Sequence, residues 1–219
     1  MDTFDDPLLK RELKDMWNDL NSRPKYAGKL ANPFFGYARP TFAKSKTRVL
    51  YIGKATAGPL DKPDLSVYFG CNPGAFWSFA QRLSRISGEP ADPLANIAWS
   101  NLCKIGTRTN NPGKSLAAEQ QKLAVTILKA EIQYLEPSLI VCVAGYTIYD
   151  DFFYQALNTT RGHDGFIGRP RKNPTMWVRT TQPPYPPILW MRHPQTSSRE
   201  YLNFAYAEAM RLLALNPRV

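Results

Sequence analysis

The chain of 219 residues is poor in the residue types that usually mark a site. It has three cysteines, Cys71, Cys103 and Cys142, odd in number and widely spaced. Such a set argues against a disulfide framework. It also falls short of the ligands that a tetrahedral zinc site or a cubane iron–sulfur cluster takes from cysteine alone. Only two histidines occur, His163 and His193. No run approaches the roughly 18 apolar residues of a membrane span. The N-terminal MDTFDDPLLKRELKDMW is acidic and polar where a secretory signal is basic and then apolar. A cytoplasmic monomer without membrane contact is therefore expected. Neither GxGxxG nor GxxxxGK[ST] is present, so no nucleotide cofactor, and no cofactor of any kind, is expected.

Acidic side chains are also missing over long stretches. The formal net charge is +10, from 28 basic and 18 acidic residues. Six of the acids lie in the first nineteen residues, and none lies between Asp19 and Asp61, where Arg23, Lys25, Lys29, Arg39, Lys44, Lys46, Arg48 and Lys54 occur. The interval from Asp92 to Glu119 carries Lys104, Arg108 and Lys114; that from Asp164 to Glu200 carries six cations, Arg192 and Arg199 among them. Gathered on one face, these segments make a positive field suited to DNA or another polyanion. A generically basic surface and a basic face for an acidic protein are the alternatives.

The hydrophobic pattern predicts one domain over residues 1–219, with an N-terminal helix and basic loop at 1–47 and a core at 48–214. Pro7 starts a helix over 7–20, with Leu8, Leu9, Leu13, Met16, Trp17 and Leu20 on one side. RVLYIG (48–53), IAWSNL (97–102), SLIVCVA (138–144) and ILWM (188–191) read as buried parallel strands. Helices are expected over 75–87, 116–135, 146–157 and 197–215, the last capped by Ser197 or Ser198 with Glu200 or Glu208 on its wet side. MWVRTT, inside the long 158–187 segment, is a candidate edge strand. Alternating strands and helices define an α/β fold, a three-layer sandwich around four parallel strands.

Ligands in such sheets bind beyond the carboxyl ends of the strands. Those ends carry Gly53-Lys54-Ala55-Thr56, Asn101-Leu102-Cys103-Lys104, Gly145-Tyr146 and Arg192-His193-Pro194. His193 is suited to donate to a developing anion, or simply to bond at a helix start. Asn101 is suited to pair with an amide-like base edge, or to tie down its own loop. Tyr68, Phe69 and Phe76 are candidates to stack on a flat ring, or core. Ser197, Ser198 and Arg199 are placed to hold phosphates or to cap the helix. Lys54 is a nucleophile, a general base or a phosphate partner.

Five segments in order, RVLYIGKATAG (48–58), VYFGCNPGAFW (67–77), NIAWSNLCKIG (96–106), EIQYLEPSLIVCVAG (131–145) and ILWMRHPQTSSRE (188–200), resemble the uracil-DNA glycosylase superfamily. The resemblance covers about residues 48–214. It implies a three-layer α/β/α sandwich that flips uracil or a related damaged base into a pocket at the strand ends and excises it. It places Gly53 at the opening of the first motif, Phe69 as the stacking ring, Asn101 against the base, His193-Pro194 in the last motif and Ser197-Ser198 in its phosphate-contacting loop. The first motif departs. Lys54-Ala55-Thr56-Ala57 stands where the family has an acid, glutamine or asparagine that places a water. Asp61 or Asp64 is the candidate substitute, and Lys54 itself the alternative. A non-catalytic nucleic-acid-binding module on the same fold stays open beside the glycosylase.

Overall fold

The computed structural model describes residues 2–56, 74–86, 94–144, 150–157, 176–179 and 186–215. Among the described residues, seven strands form one sheet: β1 (Asp2–Thr3), β2 (Tyr37–Ala38), β3 (Val49–Gly53), β4 (Ile97–Asn101), β5 (Leu139–Cys142), β6 (Met176–Arg179) and β7 (Ile188–Met191). Their order is β1-β2-β4-β3-β5-β7-β6. The four central strands run parallel, with Val49 opposite Ile97 and Leu139, and Ile140 opposite Ile188. This is the α/β core that the apolar runs predict. The sheet is wider than the four strands of the expected core. The candidate edge strand in MWVRTT forms at Met176–Arg179, antiparallel beside β7, and two short strands that were not expected extend the other edge.

The central strands are apolar throughout because both faces are covered. Leu50, Ile52, Ala98, Ile140, Cys142, Ile188 and Trp190 pack with residues of α3 (Lys114–Leu135) and α4 (Asp150–Ala156). The alternate residues Val49, Tyr51, Trp99, Val141, Leu189 and Met191 pack with α2 (Ala75–Ser84) and α5 (Arg199–Leu215). Period-two alternation thus sends successive side chains into two apolar layers instead of one apolar and one wet face. Cys142, in β5, and Cys103, just past β4, are both free thiols buried in this core.

α1 (Pro7–Ser22) begins where Asp6 accepts bonds from the backbone N–H groups of Leu8 (3.0 Å) and Leu9 (3.1 Å). That cap contributes about 1 kcal/mol. Leu9, Leu13 and Leu20, with Met16 and Trp17 beside them, seat the helix against Ile105, Leu116 and Ile127, outside the sheet sandwich, whereas Leu8, expected on the same side, is exposed. Each buried leucine contributes roughly 2 kcal/mol by leaving water. α3 starts two residues earlier than the pattern predicts and ends at Glu136, in left-handed backbone (φ 40°) ahead of Pro137. α5 starts at Arg199, with Ser198 Oγ accepting from Tyr201 N as its cap. Glu208 is buried against Arg211 and not on the wet side of α5.

The segment that reads as extended loop between α1 and β3 crosses the sheet. Tyr37 and Ala38 pair antiparallel with Trp99 and Ala98, so residues 32–36 lie toward the carboxyl ends of the parallel strands and residues 39–48 toward their amino ends. Gathering all the basic loops on one rim is therefore corrected. Lys29 and Arg108 meet near the carboxyl end of β4, where the Arg108 N–H donates to the Lys29 carbonyl. Lys44 and Lys46 are exposed at the opposite end of the molecule, and Arg48 pairs there with Glu136.

Candidate functional site

The ends of β3, β4 and β7 meet the start of α2 around a cleft of about 380 Å³. That volume suits a small flat ligand. Gly53 ends β3, with Lys54, Ala55 and Thr56 beyond it; Asn101 ends β4; Gly74 precedes α2, with Phe76 and Trp77 in its first turn; and His193 and Gln195 come from beyond β7. Trp99 and the loop Thr109-Asn110-Asn111 are the remaining described lining residues.

The strand-end loops are tightly joined. Leu102 N donates to the Gly53 carbonyl (3.0 Å) and Cys103 N to that of Lys54 (2.8 Å), carrying the parallel pairing past the strands. Asn101 is 1% exposed. The hydrogen-bond network favours the amide orientation in which its oxygen accepts from Thr56 Oγ1 (2.9 Å) and Thr56 N (3.3 Å), while its nitrogen donates to the Ser100 carbonyl (3.1 Å). Asn101 lines the cleft, yet its amide is engaged in holding the two loops together. Gly53 has to be glycine for this arrangement: an added Cβ would lie 2.6 Å from the Asn101 amide and 3.3 Å from Phe76. Gly106 is tighter still, with its Cβ position 1.9 Å from the Thr56 carbonyl oxygen.

One wall is aromatic. Phe76 stacks on His193 (centroids 5.4 Å, 21° between planes) and tilts against Tyr51 (4.8 Å). Tyr51 Oη donates to the Phe76 carbonyl (3.0 Å) and fixes the first turn of α2; burial keeps that phenol protonated by pushing its pKa well up. Trp77 and Trp99 meet edge to face at 4.9 Å, and Phe34 leans on Trp99 at 4.4 Å.

His193 occupies a turn that leaves its chemistry defined. The Gln195 N–H donates to its Nδ1 (3.4 Å), and its carbonyl accepts from the Thr196 backbone N–H and hydroxyl and from Ser197 Oγ. With Nδ1 an acceptor, the proton of the neutral ring belongs on Nε2. Burial, reinforced by the charge of Lys54, lowers the His193 pKa to about 4. The imidazole is thus a neutral N–H donor at neutral pH. Lys54 is half-buried, and burial lowers its pKa as well. Among the described residues lining the cleft there is no carboxylate.

Behind the site lies a second polar cluster that the sequence did not suggest. Lys104 Nζ donates to Glu131 Oε2 (2.7 Å) and Ser100 Oγ (2.8 Å), and Ser100 donates to the same carboxylate (2.6 Å). Gly36 N donates to Glu131 Oε1 (2.6 Å). Both charged side chains are fully buried. Gln120 holds both backbone groups of Ile105 next door, at 2.8 Å each. These bonds pin the loop after β4 to α3 and to the segment that carries Phe34.

Of the residues singled out from the sequence, Gly53, Lys54, Phe76, Asn101 and His193 converge on the cleft. Ser197 is half-buried beneath the His193 turn, Ser198 caps α5 and Arg199 is exposed on its first turn. Asp61, Asp64, Tyr68 and Phe69 lie outside the described residues. Trp77, Trp99, Gln195 and the 109–111 loop were not foreseen. Only the polar TNNPG run (109–113) after a strand end offered a signal.

Among the described residues no helix is long and apolar enough to cross a membrane, and no three His, Cys, Asp or Glu side chains gather as metal ligands. Fold and site together define an α/β protein with an aromatic-walled cleft, without a carboxylate among its described lining residues, at the carboxyl ends of its parallel strands. Compared with known proteins, the chain matches no family model and no curated sequence.

Proposed function

We propose that this protein binds DNA along the rim of the cleft, takes one extruded base into it and releases that base by N-glycosidic cleavage, as in the superfamily its five segments resemble. The observation that carries the reading is His193, a neutral donor stacked on Phe76 at the strand ends. When a glycosidic bond breaks, its electron pair leaves with the base. A neutral N–H aimed at the departing ring stabilises that charge without first needing protonation at low pH. Phe76, Trp77 and Trp99 supply flat apolar surface for a ring removed from its stack. Lys29, Arg108 and Arg199 are exposed beside this end of the sheet and supply phosphate contacts.

A second reading, a base-binding module without excision, draws on two observations. Asn101 is engaged with Thr56, and no carboxylate to orient water lies among the described lining. One experiment separates the two. Oligonucleotides carrying uracil, hypoxanthine, xanthine or a mismatched base are incubated with the protein and then treated with alkali to cut abasic sites. Cleavage that disappears in His193→Ala supports excision. Binding with no cleavage across the panel selects the module, and no binding even at low salt removes both.

A further inference from the structure

The cleft holds a primary amine in an uncommon setting. Lys54 follows β3 directly, and its backbone is fixed because its carbonyl accepts from Cys103 N at 2.8 Å. Its side chain lines the same cavity as His193, close enough for its charge to depress the histidine. Of the described rim cations, Lys29, Arg108 and Arg199 are exposed and suit phosphate contacts; Arg192 is half-buried, as Lys54 is, but only Lys54 of these five lines the cleft. No carboxylate among the described lining residues neutralises it. Burial without a counter-charge among the described residues shifts Lys54 toward the uncharged amine, the form with a lone pair to donate.

We infer that Lys54 is an amine nucleophile that condenses with the aldehyde of a ring-opened abasic deoxyribose held in the cleft. The inference rests on the proposed function only in that the cleft admits a nucleotide unit; it requires no base excision. The Nζ lone pair forms a bond to the C1′ carbon while the carbonyl π pair moves onto oxygen. A proton passes from nitrogen to that oxygen, giving a carbinolamine. The hydroxyl then leaves, and with a second nitrogen proton it forms water and an imine. Amine and aldehyde become imine and water, with no change of oxidation state. The Nε2–H of His193 is the donor available to the oxygen as it gains charge, and its neutrality means that it adds no second cation beside the amine.

The test uses an oligonucleotide with a preformed abasic site and sodium cyanoborohydride, which reduces an imine to a permanent amine link. Wild-type protein, Lys54→Arg, Lys54→Met and Lys46→Arg are compared on denaturing gels, and the linked peptide of the wild type is mapped by mass spectrometry. The expected result is an adduct on Lys54 that falls at least tenfold in both Lys54 variants and is unchanged in Lys46→Arg, at the far end of the sheet. No wild-type adduct, an adduct mapped to another amine, or undiminished trapping in Lys54→Arg would overturn it. Mapping on the wild type decides the matter even if a variant folds poorly. Trapping without base release sinks the glycosylase reading and leaves this one standing; base release without trapping does the reverse.

Discussion

The imidazole of His193 lies nearly parallel to the ring of Phe76, 5.4 Å between centroids and 21° between planes. That contact removes water from one face of a ring whose other neighbour of consequence is a cation, Lys54. Both effects disfavour imidazolium.

The first prediction is a pH profile. His193 titrates near 4 in the folded protein and near 6.5 when unfolded. Above pH 6.5 it is neutral in both states and the profile owes it nothing. Between 6.5 and 4 the unfolded chain binds a proton that the native state refuses, so stability falls as pH falls through that window. Denaturant unfolding of His193→Gln should show a shallower loss over the same interval. In NMR titrations the His193 ring should stay neutral from pH 8 to 6. In Lys54→Met its pKa should rise but remain below the ordinary value, because burial is the larger cause. A ring that titrates near 6.5 in the wild type contradicts the described environment.

Gly106→Ala should be among the most costly single-methyl changes in the molecule. Its Cβ would meet a backbone oxygen at 1.9 Å, and backbone cannot swing aside as a side-chain tip can. The expected loss is at the upper end of the roughly 1–3 kcal/mol of overpacking. Gly28→Ala provides the contrast. There the space is open and the strain comes only from a φ of +68°, so about 1 kcal/mol is expected. Equal losses in urea melts of the two variants would contradict the contact.

Lys104 and Glu131 should behave as a unit. Removing either partner leaves a buried charge, at a cost of about 3–5 kcal/mol. Lys104→Met with Glu131→Gln together should therefore cost clearly less than the sum of the singles. Simple additivity in a double-mutant cycle would mean that the pair is not coupled.

Charge reversal should separate the two ends of the sheet. Lys29→Glu, Arg108→Glu and Arg199→Glu should each weaken oligonucleotide binding and lower the salt slope by about one ion. Lys44→Glu and Lys46→Glu should do neither. Equal effects at both ends, measured by anisotropy at two salt concentrations, would show that net charge and not the rim governs binding.

What was legible in the sequence follows from burial. RVLYIG and SLIVCVA announce parallel strands because helices cover both faces of the sheet, so no wet face interrupts the apolar run. The convergence of Gly53, Asn101 and His193 follows from strand direction alone. Other features left no such trace. Tyr37–Ala38 pairs for only two residues, too few for a periodic signal, yet it carries residues 39–48, with Lys44, Lys46 and Arg48, to the opposite end of the sheet. Lys104 and Glu131 read as surface because charged residues usually are; only the fold shows each beside its counter-ion. The Asn101 amide reads equally as a ligand group or as a tie for its own loop, and only the fold shows Thr56 engaged with it.

Burial of the thiols of Cys103 and Cys142 turns them into built-in clocks. Cys103 is fully enclosed and its pKa is pushed far up, so the native protein presents no thiolate there. A maleimide or disulfide reagent can reach it only in molecules that have momentarily opened. Because Cys103 lies beneath the cleft and Cys142 within the central strand β5, their labelling rates count different events: parting of the strand-end loops for one, rupture of the sheet for the other. The ratio of those rates measures how independently the floor of the cleft breathes from the body that supports it.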